Sequence, residues 1–260
     1  MRKVSGVVLV LAGFALLGGP AADAASRDQV WLPFDSGAAD VGHIQSGAKN
    51  RGTAGVTSRV VTQDGGNAVR ARGRSGYAVR FPKASSAANP PRAVLRVTND
   101  AQDQLSPGRS WFKFGAEVRL FADSDGTQTD NGDNVLQRGL YDDQAQYKLQ
   151  VDKRRPECRV KGARGAVLVR STVRMKARDW YRLVCTRDDS AVTLRVVHFL
   201  RDGSRSSTTK TNVGRTGSVA AETASVPMSV GGKLSAAGLP MASTDQLNGV
   251  VDEVFLRIRD

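Results

Sequence analysis

The sequence predicts an all-β domain in which two antiparallel sheets pack face to face as a jelly-roll sandwich. Three observations carry that expectation. Short runs rich in β-branched and aromatic residues recur along the chain, separated by Gly, Asp, Asn and Ser turn formers. Several of these runs alternate apolar and polar residues with the period of two that a half-buried strand requires. Helical periodicity is scarce. A barrel fits less well, because neither a repeat spacing nor a barrel-like glycine pattern is present.

The candidate strands are, in order, Val30–Phe34, Arg59–Thr62, Tyr77–Phe81, Ala93–Thr98, Trp111–Leu120, Val135–Gln137 and Tyr147–Val151. Glu157–Val160, Ala166–Val169, Trp180–Thr186, Val192–Leu200, Ser207–Thr211, Pro227–Val230 and Val250–Ile258 follow. In the run from Trp180 to Cys185, Trp180, Arg182 and Val184 face one way, and Tyr181, Leu183 and Cys185 the other. The turn Asp188-Asp189-Ser190 makes this run and the next a hairpin. Ser36–Gly55 and Ser235–Thr244 read as long loops, and no linker divides the chain.

Residues 1–24 read as an export signal. Arg2 and Lys3 give the charged start, Val7–Leu17 the apolar run, and Ala22-Asp23-Ala24 the small residues around a cleavage point. The apolar run is well short of the roughly 20 residues that a membrane span needs. The expectation is a secreted product whose single domain covers 25–260. Its two cysteines, Cys158 and Cys185, then meet an oxidising compartment, where pairing is the default.

Charge is the most unusual feature of the composition. The 260 residues hold 38 Lys and Arg against 25 Asp and Glu, a net charge of +13. Residues 148–187 alone contribute 13 basic and three acidic side chains. Lys153, Arg154, Arg155, Arg159, Lys161 and Arg164 form the densest group, with Arg159 and Lys161 on one face of a strand. Such a patch suits either an anionic polymer outside the cell or plain solubility. Export and the absence of any DNA- or RNA-binding motif argue against nucleic acid.

Four segments carry a family likeness. They are Asn134–Gly139 with Tyr147–Gln150, Trp180–Cys185 with Val192–His198, Ser229-Val-Gly-Gly232, and Leu247–Phe255 with its Gly-x-apolar-Asp-Glu-Val core. In this order they resemble the laminin-G-like jelly rolls of secreted bacterial proteins, within the concanavalin A-like lectin/glucanase fold. The resemblance implies a module that binds glycans or proteins at an exposed face, often with a Ca²⁺ ion. By the same resemblance, Asp35 of the first strand and Asp252 of the last would approach each other as calcium ligands. For Asp252, backbone N–H groups are the competing partners. The acidic loop 123–134 offers Asp125 and Asp133 as further oxygen ligands, although it fails the EF-hand template and also suits a solvated turn. No cofactor is required by this reading.

Catalysis finds little support in the sequence. The glucanase branch of the fold carries acids at alternate positions of one strand, and no such strand is present. Asp252 and Glu253 are neighbours, so a regular strand would send them to opposite faces, and Glu117 stands alone in its strand. Gly73-Arg-Ser-Gly76 is one residue short of a nucleophile elbow. His198 lies in phase with Val192, Leu194 and Val196 and reads as a packed residue, while His43 has no partner nearby in sequence. Trp31, Trp111 and Trp180 sit at strand starts and read as core. The favoured function is a secreted, non-catalytic recognition module for carbohydrate or an anionic cell-surface polymer. The alternatives are a glycan-active hydrolase of the glucanase fold and a protein-interaction module of the envelope.

Overall fold

A computed structural model of the chain describes residues 28–35, 47–122 and 132–259. The expected leader (1–24), His43 and Asp125 lie outside these residues. The described chain forms fifteen strands and no helix. They are Val30–Leu32 (β1), Val56–Gln63 (β2), Val69–Arg72 (β3), Tyr77–Arg80 (β4), Arg92–Asn99 (β5), Trp111–Leu120 (β6), Gly132–Arg138 (β7) and Gln146–Asp152 (β8). The remainder are Arg155–Gly162 (β9), Gly165–Arg170 (β10), Trp180–Arg187 (β11), Ala191–Phe199 (β12), Arg205–Val213 (β13), Met228–Val230 (β14) and Gly249–Arg259 (β15).

Every expected strand is present, nine of them longer by one to four residues, and the hairpin of β11 and β12 turns through Asp188–Ser190. One strand, β3, is additional. Its sequence Val-Arg-Ala-Arg offers little apolar content between two glycine-rich turns, so pairing with β4 rather than local preference makes it a strand.

The strands form two antiparallel sheets. Sheet A runs β13-β12-β11-β6-β15-β4-β3, with β1 pairing beside β4 on the same side of β15. Sheet B runs β10-β9-β8-β7-β14-β5-β2. Alternation decides what lies between them. From β6, Phe112, Phe114, Ala116, Val118 and Leu120 point inward and are buried, and Tyr181, Leu183 and Cys185 of β11 do the same. From sheet B they meet Leu149, Val151, Val160 and Tyr147, whose ring packs at 5.1 Å from Phe114. Each large apolar side chain buried in this way contributes roughly 1.5–3 kcal/mol. Strand β13 ends sheet A as an edge, with nearly every side chain exposed.

Two features staple the sandwich. Cys158 of β9 and Cys185 of β11 are bonded, with Cα atoms 5.9 Å apart and both residues fully buried, so the bond joins sheet B to sheet A through the core. At the end of β11, Arg187 is wholly buried. Its Nε donates to Thr216 Oγ1 at 3.0 Å, its Nη1 to the carbonyls of Arg109 and Ser110 at 2.9 Å each, and its Nη2 to the Gly217 carbonyl. One of the basic residues counted in the charged stretch is therefore an internal clamp.

The cysteines are 27 positions apart, so removing the bond frees a loop whose closure is worth about 3 kcal/mol in the chain-entropy treatment. The double substitution Cys158→Ala with Cys185→Ala should lower the unfolding free energy in urea by about that amount. Reduction of the native chain should reproduce the loss.

Candidate functional site

The outer face of sheet A is built around an irregularity in β15. Asp252 pairs with Glu117 of β6, and the next pair is Phe255 with Gly115, so three steps along β15 match two along β6. The extra residue is accommodated at Glu253, whose φ of 50° lies in the left-handed region. Asp252 and Phe255 both face outward as a result. Phe255 lies across Gly115, where an added Cβ would stand 2.9 Å from the ring and closer still to the Leu183 carbonyl.

Glu117 is the sole acid of β6, as its sequence reads, and this pairing sets it beside the carboxylate of Asp252 from another strand, each only 1% exposed. The turn that closes β3 and β4, Gly73-Arg74-Ser75-Gly76, covers them. Arg74 forks onto Glu117, Nε to Oε2 at 2.8 Å and Nη2 to Oε1 at 3.0 Å, and lies 4.2 Å over the Phe199 ring. Gly73 sits on Asp252, where a Cβ would come within 2.6 Å of Oδ2. Asp35 Oδ1 accepts the Tyr77 N–H at 2.8 Å on the same turn, and a Cβ at Gly76 would collide with its carboxylate. Trp31 donates its indole N–H to Glu253 Oε2 at 2.7 Å.

Burial pushes the Asp252 carboxyl up to about 7. The Glu253 N–H, which donates to its Oδ1 at 2.8 Å, opposes the rise, while the charges of Glu253, Glu117 and Asp35 add to it. The hydrogen bond to Glu117 raises the Arg74 guanidinium in turn. Asp35 and Asp252 come under one turn, but the donor set suits a proton and an arginine better than a calcium ion. Ca²⁺ takes six to eight oxygens, whereas both oxygens of Glu117 are taken by Arg74. Among the described residues no group of three or more His, Cys, Asp and Glu is placed to hold a metal. Asp133 is buried, and its Oδ1 accepts the Asn248 N–H at 2.7 Å. The carboxylate pair also makes a poor hydrolytic centre, since a glycosidic bond would have to displace both the turn and Arg74 to reach it.

Around this neutralised floor the face is basic. One row across the strands reads Arg80, Val250, Arg119, Trp180, Phe199 and Arg205. Another joins Arg257 to Lys113, and Arg182 and Arg195 lie between the two rows. Aromatic rings alternate with these cations. Arg119 lies 5.0 Å over Trp180, Arg182 and Lys113 lie 5.7 and 5.8 Å over Phe255, and Arg259 lies 4.6 Å over Trp111. Burial lowers the Lys113 ammonium, and Arg257, Arg259 and Arg182 lower it further, against Asp28 alone. Among the described residues Lys113, Arg119, Arg182 and Arg195 form no ion pair with a carboxylate. The tryptophans expected in the core are partly exposed: Trp111 and Trp180 carry this outer face, and Trp31 is 39% exposed. Their interior neighbours Phe112 and Tyr181 took the core positions.

The basic group read from the sequence lies elsewhere, along the hairpins of β8, β9 and β10 in sheet B. Lys153 and Arg154 form the turn between β8 and β9, both with positive φ, and Arg155 begins β9. Arg159 donates to Gln146 and lies 4.4 Å over Tyr141, and Lys161 donates to the Tyr141 carbonyl at 3.0 Å. Arg164 sits at the opposite end, in the turn to β10. His198 is a packed residue, stacked on Tyr181 at 4.3 Å and 3.0 Å from Asp179 Oδ2.

Because the Asp252 carboxyl rises from 3.8 to about 7 on folding, the folded chain keeps a proton that the unfolded chain releases across that range. Stability therefore falls as pH climbs through the window and levels off above it. Asp252→Asn should match the native chain near pH 4 and exceed it at pH 8 by more than ~1 kcal/mol in urea unfolding, given ~1.4 kcal/mol per pKa unit. Equal stability at both pH values would refute a protonated Asp252.

No protein-family model matches the chain, and no curated protein matches it in sequence. Solved structures match it in fold. Domain 4 of AbnA, a GH43 extracellular arabinanase from Geobacillus stearothermophilus solved in complex with arabinotriose, superposes with a TM-score of 0.55 at 12% identity, over 90% of this chain and 93% of that one. The binding domain of Paraclostridial Mosquitocidal Protein 1 gives 0.54 at 12% identity, over 90% of this chain and 49% of the other. The LG1-3 region of the laminin α2 chain gives 0.44 at 10% identity, over 58% of this chain and 28% of the other. This chain thus spans less than half the length of the latter two. Identities this low speak of fold alone, and in fold the chain is a jelly-roll sandwich similar to the AbnA domain and the toxin binding domain.

Proposed function

We propose that the chain is a secreted, non-catalytic recognition module that binds an anionic polysaccharide of the cell surface, and that sheet A supplies the docking face. The observation that carries this reading is the row-by-row placement of Arg and Lys from β4, β6, β11, β12, β13 and β15 on one outer surface, interleaved with Trp111, Trp180, Phe199 and Phe255. Cations attract the carboxylate, sulfate or phosphate groups of such a polymer, and the rings offer flat apolar contact to its sugar faces. The acids at the centre add little opposing charge, because Arg74 neutralises Glu117 and Asp252 is half protonated near pH 7. The fold supports a binding role in general terms, since jelly-roll sandwiches present large open sheet faces. The Lys153–Arg164 group supplies a second basic strip on sheet B.

Retention on polygalacturonate and on heparin tests the proposal. The native chain should bind at ~50 mM salt and release at ~0.5 M, where the Debye length has shrunk to a few ångströms. Arg182→Glu combined with Arg195→Glu should weaken binding at least tenfold, ~1.4 kcal/mol, while Arg155→Glu combined with Arg164→Glu should change it little. The reverse result would move the docking surface to sheet B. No retention of either polymer at low salt would end the proposal.

A further inference from the structure

We propose that Lys113 is a covalent capture site for small anionic carbonyl compounds, aldehydes or 2-oxo acids that carry a carboxylate or a phosphate. Its amine holds such a compound as an imine, and the guanidinium groups around it hold the anion. The inference goes beyond polymer docking and does not rest on it, because this ligand is small and its bond is covalent.

Strand register makes the site. Lys113 lies on the outer face of β6 directly opposite Arg257 of β15, and Arg259 follows two residues along the same face. Opposed side chains of an antiparallel pair stand ~4.5–5.5 Å apart at Cβ. On the other flank its neighbour is Thr186 of β11, a neutral hydroxyl. Phe255 presents its ring to Lys113 Nζ at 5.8 Å and to the Arg182 guanidinium at 5.7 Å, so a third cation borders the same apolar floor. Asp28 is the acid whose charge is felt here, and it is spent on Arg257 Nε at 2.7 Å.

A lysine is a nucleophile only as the free amine, and proteins obtain one by desolvating it or by setting it beside other cations. Lys113 has both conditions: burial lowers its ammonium most, and Arg257, Arg259 and Arg182 lower it further. It stays partly exposed, so a small molecule reaches it. Lys148, whose ammonium burial also lowers, is spent on Asp245 at 3.2 Å, and the same carboxylate holds Lys233 at 3.0 Å. At Lys113 the Nζ lone pair adds to the carbonyl carbon, both amine hydrogens leave with the carbonyl oxygen as water, and a C=N bond replaces the C=O bond. No oxidant or reductant is consumed. The three guanidinium groups favour the anionic members of the class, and the Phe255 ring lies against their carbon skeleton.

Brief exposure of the full chain to pyridoxal 5′-phosphate, followed by borohydride to reduce the imine to a stable amine, tests the site, with peptide mass spectrometry locating the label. Lys113 should be modified several-fold faster than the exposed lysines Lys83, Lys153 and Lys210. With pyridoxal, which lacks the phosphate, that preference should shrink, and this comparison needs no substitution. Arg182→Gln combined with Arg259→Gln should slow phosphate-reagent labelling of Lys113 roughly tenfold, the scale on which local charge concentrates an anion, at an unchanged melting temperature. Lys113→Arg keeps the charge and should leave no dominant labelled site. Even labelling of the four lysines, an equal preference with pyridoxal, or labelling that survives loss of both arginines would overturn the proposal. Retention on polygalacturonate or heparin is read without a carbonyl reagent, so failure of either reading leaves the other standing.

Discussion

The extra residue that β15 carries between Asp252 and Phe255 sets the phase of the whole outer face of sheet A. In an unbroken strand, positions three apart face opposite sides. With Glu253 in the left-handed region, both point outward. Asp252 then meets Glu117, Phe255 fills the hollow over Gly115, and Arg182 and Lys113 gain a ring to lie against. The inward set on either side of the irregularity, Val251 and Leu256, stays in the core. A change of one residue in β15 thus rearranges one surface and leaves the packing beneath it intact.

The acids at the centre of that surface explain how a basic face tolerates them. Removing a carboxylate from water is costly unless it is paired or protonated. Here one of each solution is used: Glu117 is held by a forked arginine, and Asp252 is pushed toward its neutral form. The loop that does both is only four residues long, and it can lie so close because Gly73 and Gly76 have no Cβ. Asp35 ties the turn down from the other side through the Tyr77 N–H.

How much of this could be read from the sequence depended on whether the information was local. Strand positions are local, because alternation is written in adjacent residues, and β6 was legible to its exact ends. The cysteine pairing needed only compartment and count. The Asp252–Glu117 pair was illegible, because its partners are separated by more than half the chain and their register depends on an irregularity that no local pattern announces. The charged stretch misled for a related reason. It runs through β8, β9 and β10 of sheet B and on into β11 of sheet A, so residues dense in sequence are divided between two outer surfaces, while Arg187 goes to the interior. The basic face of sheet A draws instead on strands scattered from β4 to β15. By local pattern the Gly73–Gly76 segment matches only an incomplete nucleophile motif, whereas its glycines serve close approach to the acids below.

Strand β13 has a consequence for what the sandwich can join. An open edge exposes a row of backbone N–H and C=O groups that another strand could extend. Here the row is bordered by small hydroxyl side chains with Arg205 and Lys210 among them, nearly all in solvent. Adding a strand would strip water from two cations and a line of serines and threonines while covering almost no apolar surface in return. At its far end Asn212 already binds across to the Leu168 carbonyl, so the edge of one sheet is partly sealed by the edge of the other. Lateral growth of sheet A at the β13 edge is thereby stopped by hydration.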